Sequence, residues 1–406
     1  MREKSKYCQH CLPAQHKNHI LEYIEFFINK IISSFTKLPL LFLSQHQFQK
    51  ISQQFSVFLI KFFALLGLAE FDYNPIESEL RNRVLIFFKQ GQELGLNLCA
   101  VKIFGNYNGE FRLKYKNKTY FYPGIPIKIK DFQSFERKID NKAKFKQFLN
   151  NQDFPMPAGG TCYTYKTAKK IADSIGFPVV VKPASGSLSV HTSLNINSYR
   201  ELKQAVKIAK QYKPEVMVEE FIPGDLFRAT VVGREKIFIC KKETANVTGD
   251  GKSTIRELIK EKNSDPKRGE TDQKNTTLHK IPFNELLEQN LQQQNLTLDH
   301  IPDKKEKIYL HNKVILSQGC DIITKTNSAN QATKEMLIDL ARKLKTELVG
   351  FDFICKDVTQ SPSAQKFAII EANSFPYLDM HQFPSHGKAE DVAKEVWKLT
   401  LEKIGQ

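Results

Sequence analysis

Two short apolar segments, Gly350-Phe-Asp-Phe-Ile-Cys355 and Phe367-Ala-Ile-Ile-Glu-Ala-Asn373, constrain this chain more than any other feature. Each reads as a strand that carries acid or amide groups at or near its end, Asp352 in the first, Glu371 and Asn373 in the second. Alternation along a strand sends Glu371 and Asn373 to the same face, while Ala372 turns back into the packing. Three hard oxygen ligands brought to one point suit magnesium, with manganese as the alternative ion. Magnesium is held by one or two carboxylates and leaves much of its shell to substrate phosphates. A nucleotide site is therefore expected elsewhere in the chain.

With 406 residues there is room for two or three domains with ordinary cores, and the composition is that of a soluble globular protein. The formal charge is +16, but residues 1–80 hold 8 Lys/Arg against 7 Asp/Glu, so the positive excess lies downstream. A nucleotide and an acidic substrate both need cations, and the lysines are scattered along helices, so no nucleic-acid partner is expected. Seven cysteines, an odd number dispersed among strands and loops, do not form a disulfide framework and suggest a reducing, cytoplasmic setting. No secretory signal is visible. The longest apolar run, residues 55–69, is interrupted by Lys61 and falls short of the roughly 20 residues that span a bilayer. It is expected to be a buried helix, with no membrane partner.

At the N-terminus, Cys8, Cys11, His16 and His19 offer a zinc reading, but the spacing between cysteines and histidines is much shorter than in zinc fingers, and a polar tail is the plainer reading. Apolar residues at helical spacing on either side of Pro39 predict a helical hairpin over residues 1–80, rich in phenylalanine. Its seam would pack on its own protein or on a second subunit, as in a homo-oligomer. Residues 81–136 predict a small α/β layer, a helix ending near Gly95 followed by strands over 96–104, 110–115 and 118–122.

Residues 137–406 predict alternating helices and strands. Val179-Val-Val-Lys182-Pro183 is a β-branched run that ends in a lysine, aiming its amine at the strand's end. The small-residue loop after it, with Ser185, Gly186 and Ser187, has amides and hydroxyls suited to phosphate oxygens. The strand over 216–220 runs into a turn where Glu220, Phe221 and Ile222 could offer adenine an amide pair and an apolar slot, with Asp225 placed for a ribose. Arg228 follows on the next strand. Thr254 reads as the cap of a helix, and residues 263–308, rich in Lys, Gln and Asn, read as an insertion or lid.

In this order the motifs resemble the ATP-grasp superfamily of carboxylate–amine ligases. The likeness is greatest to the ATP-grasp portion of cyanophycin synthetase, in the glutathione synthetase-like branch. It covers about residues 137–395 and rests on Asp140-Asn-Lys142, Val181-Lys-Pro183, Glu219-Glu220 through Arg228, and Gly249-Asp-Gly251 with Asn263, Asp265-Pro266 and Arg268-Gly269. Gly350 to Asp352 and Glu371-Ala-Asn373 running on to Met380-His381 complete it. The resemblance implies an α+β fold whose two subdomains clamp ATP. It places Lys142 and Lys182 on the phosphates, Glu219 to Ile222 on adenine, Asp225 on ribose, and Asp352, Glu371 and Asn373 on magnesium. Arg228, Lys242 and the position of His311 are implied at the reacting groups. The implied chemistry joins small amino-acid or peptide substrates through an acylphosphate.

Three departures stand out. The phosphate loop has Ser189 and His191 where the family carries glycines, and His311 follows Leu310 where the branch usually has arginine, with Lys313 nearby. These two imply an alternative, a nucleotide-binding scaffold with weakened catalysis. No Gly-x-x-Gly-Lys-Thr loop of a Mur-ligase-like domain occurs in the 406 residues, so true cyanophycin synthesis is not expected.

Overall fold

The computed structural model describes residues 19, 20, 23, 24, 27, 57–127, 139–186 and 191–405. Cys8, Cys11 and His16 of the zinc reading, most of the expected helical hairpin, and Ser187 and Ser189 of the phosphate loop lie outside the described residues.

Residues 57–65 are helical, but this is not the buried helix expected from the apolar run. Ile60 is buried, whereas Phe58, Phe62, Leu65 and Leu66 are exposed. The run also ends early, because the chain turns at residues 66–67 and Ala69 already begins an edge strand. The apolar count had merged one face of a helix with the start of a sheet. That sheet is an antiparallel meander of β1 (Ala69–Asp72), β2 (Asn97–Ile103), β3 (Asn106–Tyr115) and β4 (Lys118–Tyr122), with α1 (Asn82–Glu93) between its first two strands.

Next come α2 (Lys142–Asn151), β5 (Gly159–Cys162), α3 (Tyr165–Ile175), β6 (Val179–Pro183), β7 (Ser193–Ile196), α4 (Tyr199–Lys210) and β8 (Val216–Glu220). Asn141, Thr164 and Ser198 cap the three helices by accepting backbone N–H bonds that would otherwise be unmet. The strands pair in the order β5-β8-β6-β7. One face of this sheet buries Val179, Val181, Val216 and Val218 against Ala168, Ala172, Leu202 and Ala209 of the two helices.

The chain then runs through β9 (Asp225–Val232), β10 (Lys236–Glu243), β11 (Asn246–Thr248), α5 (Ile255–Asn263), β12 (Arg268–Gly269), β13 (Leu278–His279), α6 (Glu285–Gln293) and β14 (Lys307–Tyr309). It finishes with β15 (Asp321–Thr324), α7 (Gln331–Leu344), β16 (Leu348–Cys355), β17 (Phe367–Asn373), α8 (Asp379–Gln382) and α9 (Val392–Gly405). A second, five-stranded sheet has the order β15-β10-β9-β16-β17, with antiparallel pairing throughout. Phe227, Phe351 and Phe353 are buried on its α7 side together with Phe145 and Leu149 of α2. Each fully buried phenylalanine contributes about 1.5–3 kcal/mol. That packing ties the helix carrying Lys142 to the sheet carrying Asp352.

Between β10 and β15, the excursion forms a unit with its own packing. Ala245, Val247, Ile255, Leu258, Ile259, Leu287, Leu291, Ile308 and Leu310 share a core of their own. The helix after Thr254, with a full capping box to Glu257, belongs to that core. The C-terminal helix also packs far from its sequence neighbours. Trp397 is fully buried and donates its indole N–H to the Phe87 carbonyl at 2.9 Å, closing the first meander sheet. Gly91 makes this approach possible, because a Cβ there would lie 2.2 Å from Leu98 and 3.2 Å from Trp397.

Candidate active site

Pairing across the second sheet assembles the carboxylate end. Asp352 lies opposite Glu371 on one side and Arg228 on the other, and Asn373 lies opposite Gly350. Residues directly opposed in an antiparallel pair share a face, so Asp352, Glu371, Asn373 and Arg228 are brought to one surface, joined by Lys242. Arg228 Nε donates to Asp352 Oδ1 at 2.5 Å and Lys242 Nζ to Oδ2 at 2.8 Å. Burial works against the Asp352 charge, but these two cations outweigh it and hold the carboxyl below its ordinary range. Gly350 keeps this arrangement open, because a Cβ there would lie 2.8 Å from an Arg228 guanidinium nitrogen. Arg228 Nη1 and Asn373 Nδ2 are buried without a hydrogen-bond partner among the described residues.

Lys142 connects this end to the phosphate loop. Its Nζ stands 3.6 Å from Glu371 Oε1 and 3.4 Å from the Gly186 carbonyl. Lys182 reaches back along β6 rather than off its end, meeting Glu219 Oε2, whose residue lies opposite Val180, at 2.5 Å. Lys146, one turn along α2 from Lys142, meets the other Glu219 oxygen at 2.8 Å. Sequence reading passed over Lys146, although its i, i+4 spacing from Lys142 on a capped helix is a usable signal.

Glu219 departs from the role the resemblance implied. Its side chain is 3% exposed and both its oxygens serve lysines, so its carboxylate is unavailable to adenine. Burial raises the cost of its charge, yet Lys182 and Lys146 more than compensate and its pKa is lowered. Glu219 therefore organises two lysines. Glu220 pairs instead with Lys366, and the N–H groups of Glu220 and Phe221 already donate to Ala158 and Pro178. Ile222 is buried beside them, and Asp225 pairs with Lys241 at 2.8 Å. Ser185 and Gly186 lie at the end of β6.

Two histidines explain part of the departures from the family pattern. His191 has a φ of +55°, a left-handed conformation that glycine adopts without strain, which accounts for the glycine expected there. Here the ring is buried and its Nδ1 bonds the Ile208 carbonyl at 3.0 Å. His311 is buried with neither ring nitrogen hydrogen-bonded among the described residues. Burial, helped by nearby Lys313, pushes its pKa down to about 4. It is neutral at pH 7 and does not replace the charge of an arginine, whereas Lys313 reaches the Thr192 carbonyl at 3.2 Å, beyond the phosphate loop. His381 of the Met-His motif lies behind Arg228, bonding Thr230 Oγ1 at 2.8 Å, and burial and Arg228 push it down to about 3.

These histidines set an acid limit. A folded pKa below the unfolded value means the unfolded chain takes up protons first. Their contribution is fully present above about pH 6.5 and is lost as pH falls to and through about 4. The thermal midpoint is expected to fall over that window, and His311→Asn should flatten the fall. An unchanged pH profile in that variant would remove His311 from the account.

A four-stranded sheet, β5-β8-β6-β7, followed by a five-stranded sheet, both antiparallel and bridged by lysines that meet carboxylates, make up an ATP-grasp fold. Residues 141–264 match the model of the D-ala D-ala ligase C-terminus family. The chain is 32% identical over 266 residues to the glutathione biosynthesis bifunctional protein GshAB of Clostridium perfringens, covering 64% of this chain and 34% of that protein. To the cyanophycin synthetase of Crocosphaera subtropica it is 30% identical over 262 residues, covering 64% of this chain and 30% of the relative. The bifunctional glutathione synthetase from Pasteurella multocida superposes with a TM-score of 0.63 at 25% identity, covering 80% of this chain and 44% of that one. The chain thus spans about a third of the length of these two curated relatives. It carries the ATP-grasp fold.

Proposed function

We propose that this chain is an ATP- and magnesium-dependent carboxylate–amine ligase that forms an amide or peptide bond between small amino-acid or peptide substrates. One observation carries the reading: Lys142 sits between the Gly186 carbonyl of the phosphate loop and Glu371 of the carboxylate surface. A phosphate chain held by the loop would thereby be led to the metal ligands.

The residues fit such a guest. Five cations, Lys142, Lys146, Lys182, Arg228 and Lys242, meet three carboxylates, Glu219, Asp352 and Glu371. That excess suits a polyanion, as does the unpartnered Arg228 Nη1. Glu371 and Asn373 would supply hard oxygens, the donor set magnesium prefers, and Asp352 would share its oxygens between the metal and the two cations, Arg228 and Lys242, that already bind them. When bound, the metal would neutralise charge that spreads over the transferred phosphoryl oxygens. Lys142 and Lys182 would hold the phosphates, Ile222 N–H with the apolar slot beside Phe221 would take adenine, and Asp225 the ribose. Arg228 and Lys242 would face the acceptor carboxylate as it becomes an acylphosphate, from whose acyl carbon the amine then displaces phosphate to form the amide. Fixed cations of this kind are the main source of catalysis where little covalent chemistry falls to the protein.

A reducing, cytoplasmic setting accords with Cys99, Cys162, Cys240, Cys320 and Cys355, all free and buried. No helix among the described residues is long and apolar enough to cross a membrane. A second reading, a nucleotide-binding scaffold with weakened catalysis, is favoured by the neutral His311. ADP release across amino acids, dipeptides and γ-glutamyl compounds, with mass detection of the product, separates the two. Substrate-dependent ADP release with a product heavier by one condensed amine supports the ligase; ATP binding without ADP release throughout the panel refutes it.

A further inference from the structure

The motif Asn263, Asp265-Pro266 and Arg268-Gly269 has no part in the ATP site described above. Two of its residues, Asp265 and Arg268, line a cavity of about 590 Å³ formed by α5, β11, the edge strand β15 and the loop at Ser385. This cavity lies on the other side of the sheet from the carboxylate trio. Glu243 follows Lys242 on β10 and therefore projects from the opposite face, and Asp321 is its register partner on β15.

The cavity floor is built and electrically balanced. Asp321 is 1% exposed and binds Lys262 at 2.5 Å, Asn246 at 3.1 Å and Arg268. Glu243 is held by Lys241, Lys307 and Asn246. Three groups remain unmatched among the described residues. Arg268, 5% exposed, has its Nε buried without an acceptor, although its Nη1 reaches the His279 carbonyl at 2.9 Å. Glu261, at the rim, makes no ion pair among the described residues, and Asp265 beside it accepts only a backbone N–H at 2.9 Å. An unmet cationic donor within and free carboxylates at the mouth ask for a ligand carrying both signs.

We propose that this cavity binds the zwitterionic main chain of an amino acid or short peptide, its carboxylate toward Arg268 and Lys262 and its ammonium toward Glu261 and Asp265. Such a ligand comes from one of two sources, the far end of a peptide substrate or a separate effector. The substrate source rests on the ligase reading; the binding site itself does not.

The test is calorimetric titration of the full chain with glycylglycine, without ATP. Glycylglycine should bind, and N-acetylglycylglycine and glycylglycinamide should each bind about tenfold or more weakly, the scale of one lost charge-assisted contact. Ser264→Trp and Thr248→Tyr place bulk at exposed lining positions and should abolish binding with an unchanged unfolding midpoint, while Glu371→Ala should bind as the wild type does. Absence of glycylglycine binding, equal binding of a blocked form, or full binding by both cavity-filling variants overturns the proposal. In turnover, a raised KM for a peptide acceptor in Ser264→Trp, with kcat and the KM for ATP unchanged, identifies the ligand as substrate. Loss of a glycylglycine response in kcat, with KM unchanged, identifies an effector. A protein that binds glycylglycine but never releases ADP refutes the ligase and leaves the cavity assignment standing.

Discussion

Glu371→Ala is expected to lower substrate-dependent ADP release by at least about 100-fold while leaving the protein folded. The side chain of Glu371 is 35% exposed, and its one ion pair, to Lys142, is long at 3.6 Å, so little stability depends on it. Its catalytic weight in the proposed ligase is far larger, because it would hold the metal and align Lys142 with the phosphates. Removing one preorganised charge-stabilising group commonly costs 10²–10³ in rate, about 2.7–4 kcal/mol. Steady-state ADP release at saturating ATP and magnesium, beside an unfolding curve, makes the comparison. Turnover within about threefold of wild type would remove Glu371 from the metal site, and a collapsed unfolding curve would recast it as structural.

Asp352→Asn should lower stability as well as turnover. Asp352 is 7% exposed and is the shared partner of Arg228 and Lys242. The neutral amide leaves two buried cations without a counter-charge, and breaking a buried pair in this way costs about 3–5 kcal/mol. A urea midpoint at pH 7 reads that loss, and the triple replacement Asp352→Leu, Arg228→Met, Lys242→Met should recover most of it, since no charge is then left buried. The same linkage has a pH signature. A carboxyl held below its ordinary range gives stability that is present above the unfolded value and is lost as pH falls through the folded one. A loss below about 1 kcal/mol in Asp352→Asn would mean the pair is solvated in solution.

Much of the carboxylate end was legible from local patterning. Strand alternation alone put Glu371 and Asn373 on one face, whereas the β-branched run before Lys182 did not reveal that its amine turns back to Glu219. The capping residue Thr254 was equally readable. What alternation does not carry is register. That Asp352 stands between Arg228 and Glu371 depends on how β9, β16 and β17 pair, a matter of contacts between residues 228, 352 and 371. The exposed helix over 57–65 was misread for a related reason, since an apolar run reports hydrophobicity and not which faces find neighbours.

By itself, the chain's order of residues determined the succession of strands and helices, which follows from short-range rules of periodicity, capping and turn chemistry. The class of fold and the kinds of group at the candidate nucleotide site were legible only through an order of motifs that resembles the ATP-grasp superfamily. Tertiary structure alone decided that Glu219 serves Lys146 and Lys182 rather than a base, that Lys142 links the loop to Glu371, that Trp397 closes the first sheet, and that Lys262, Arg268 and Asp321 meet in a separate cavity. Each of those outcomes pairs groups far apart in sequence. Their free energy depends on which charges are buried together, and no local pattern in the chain encodes that.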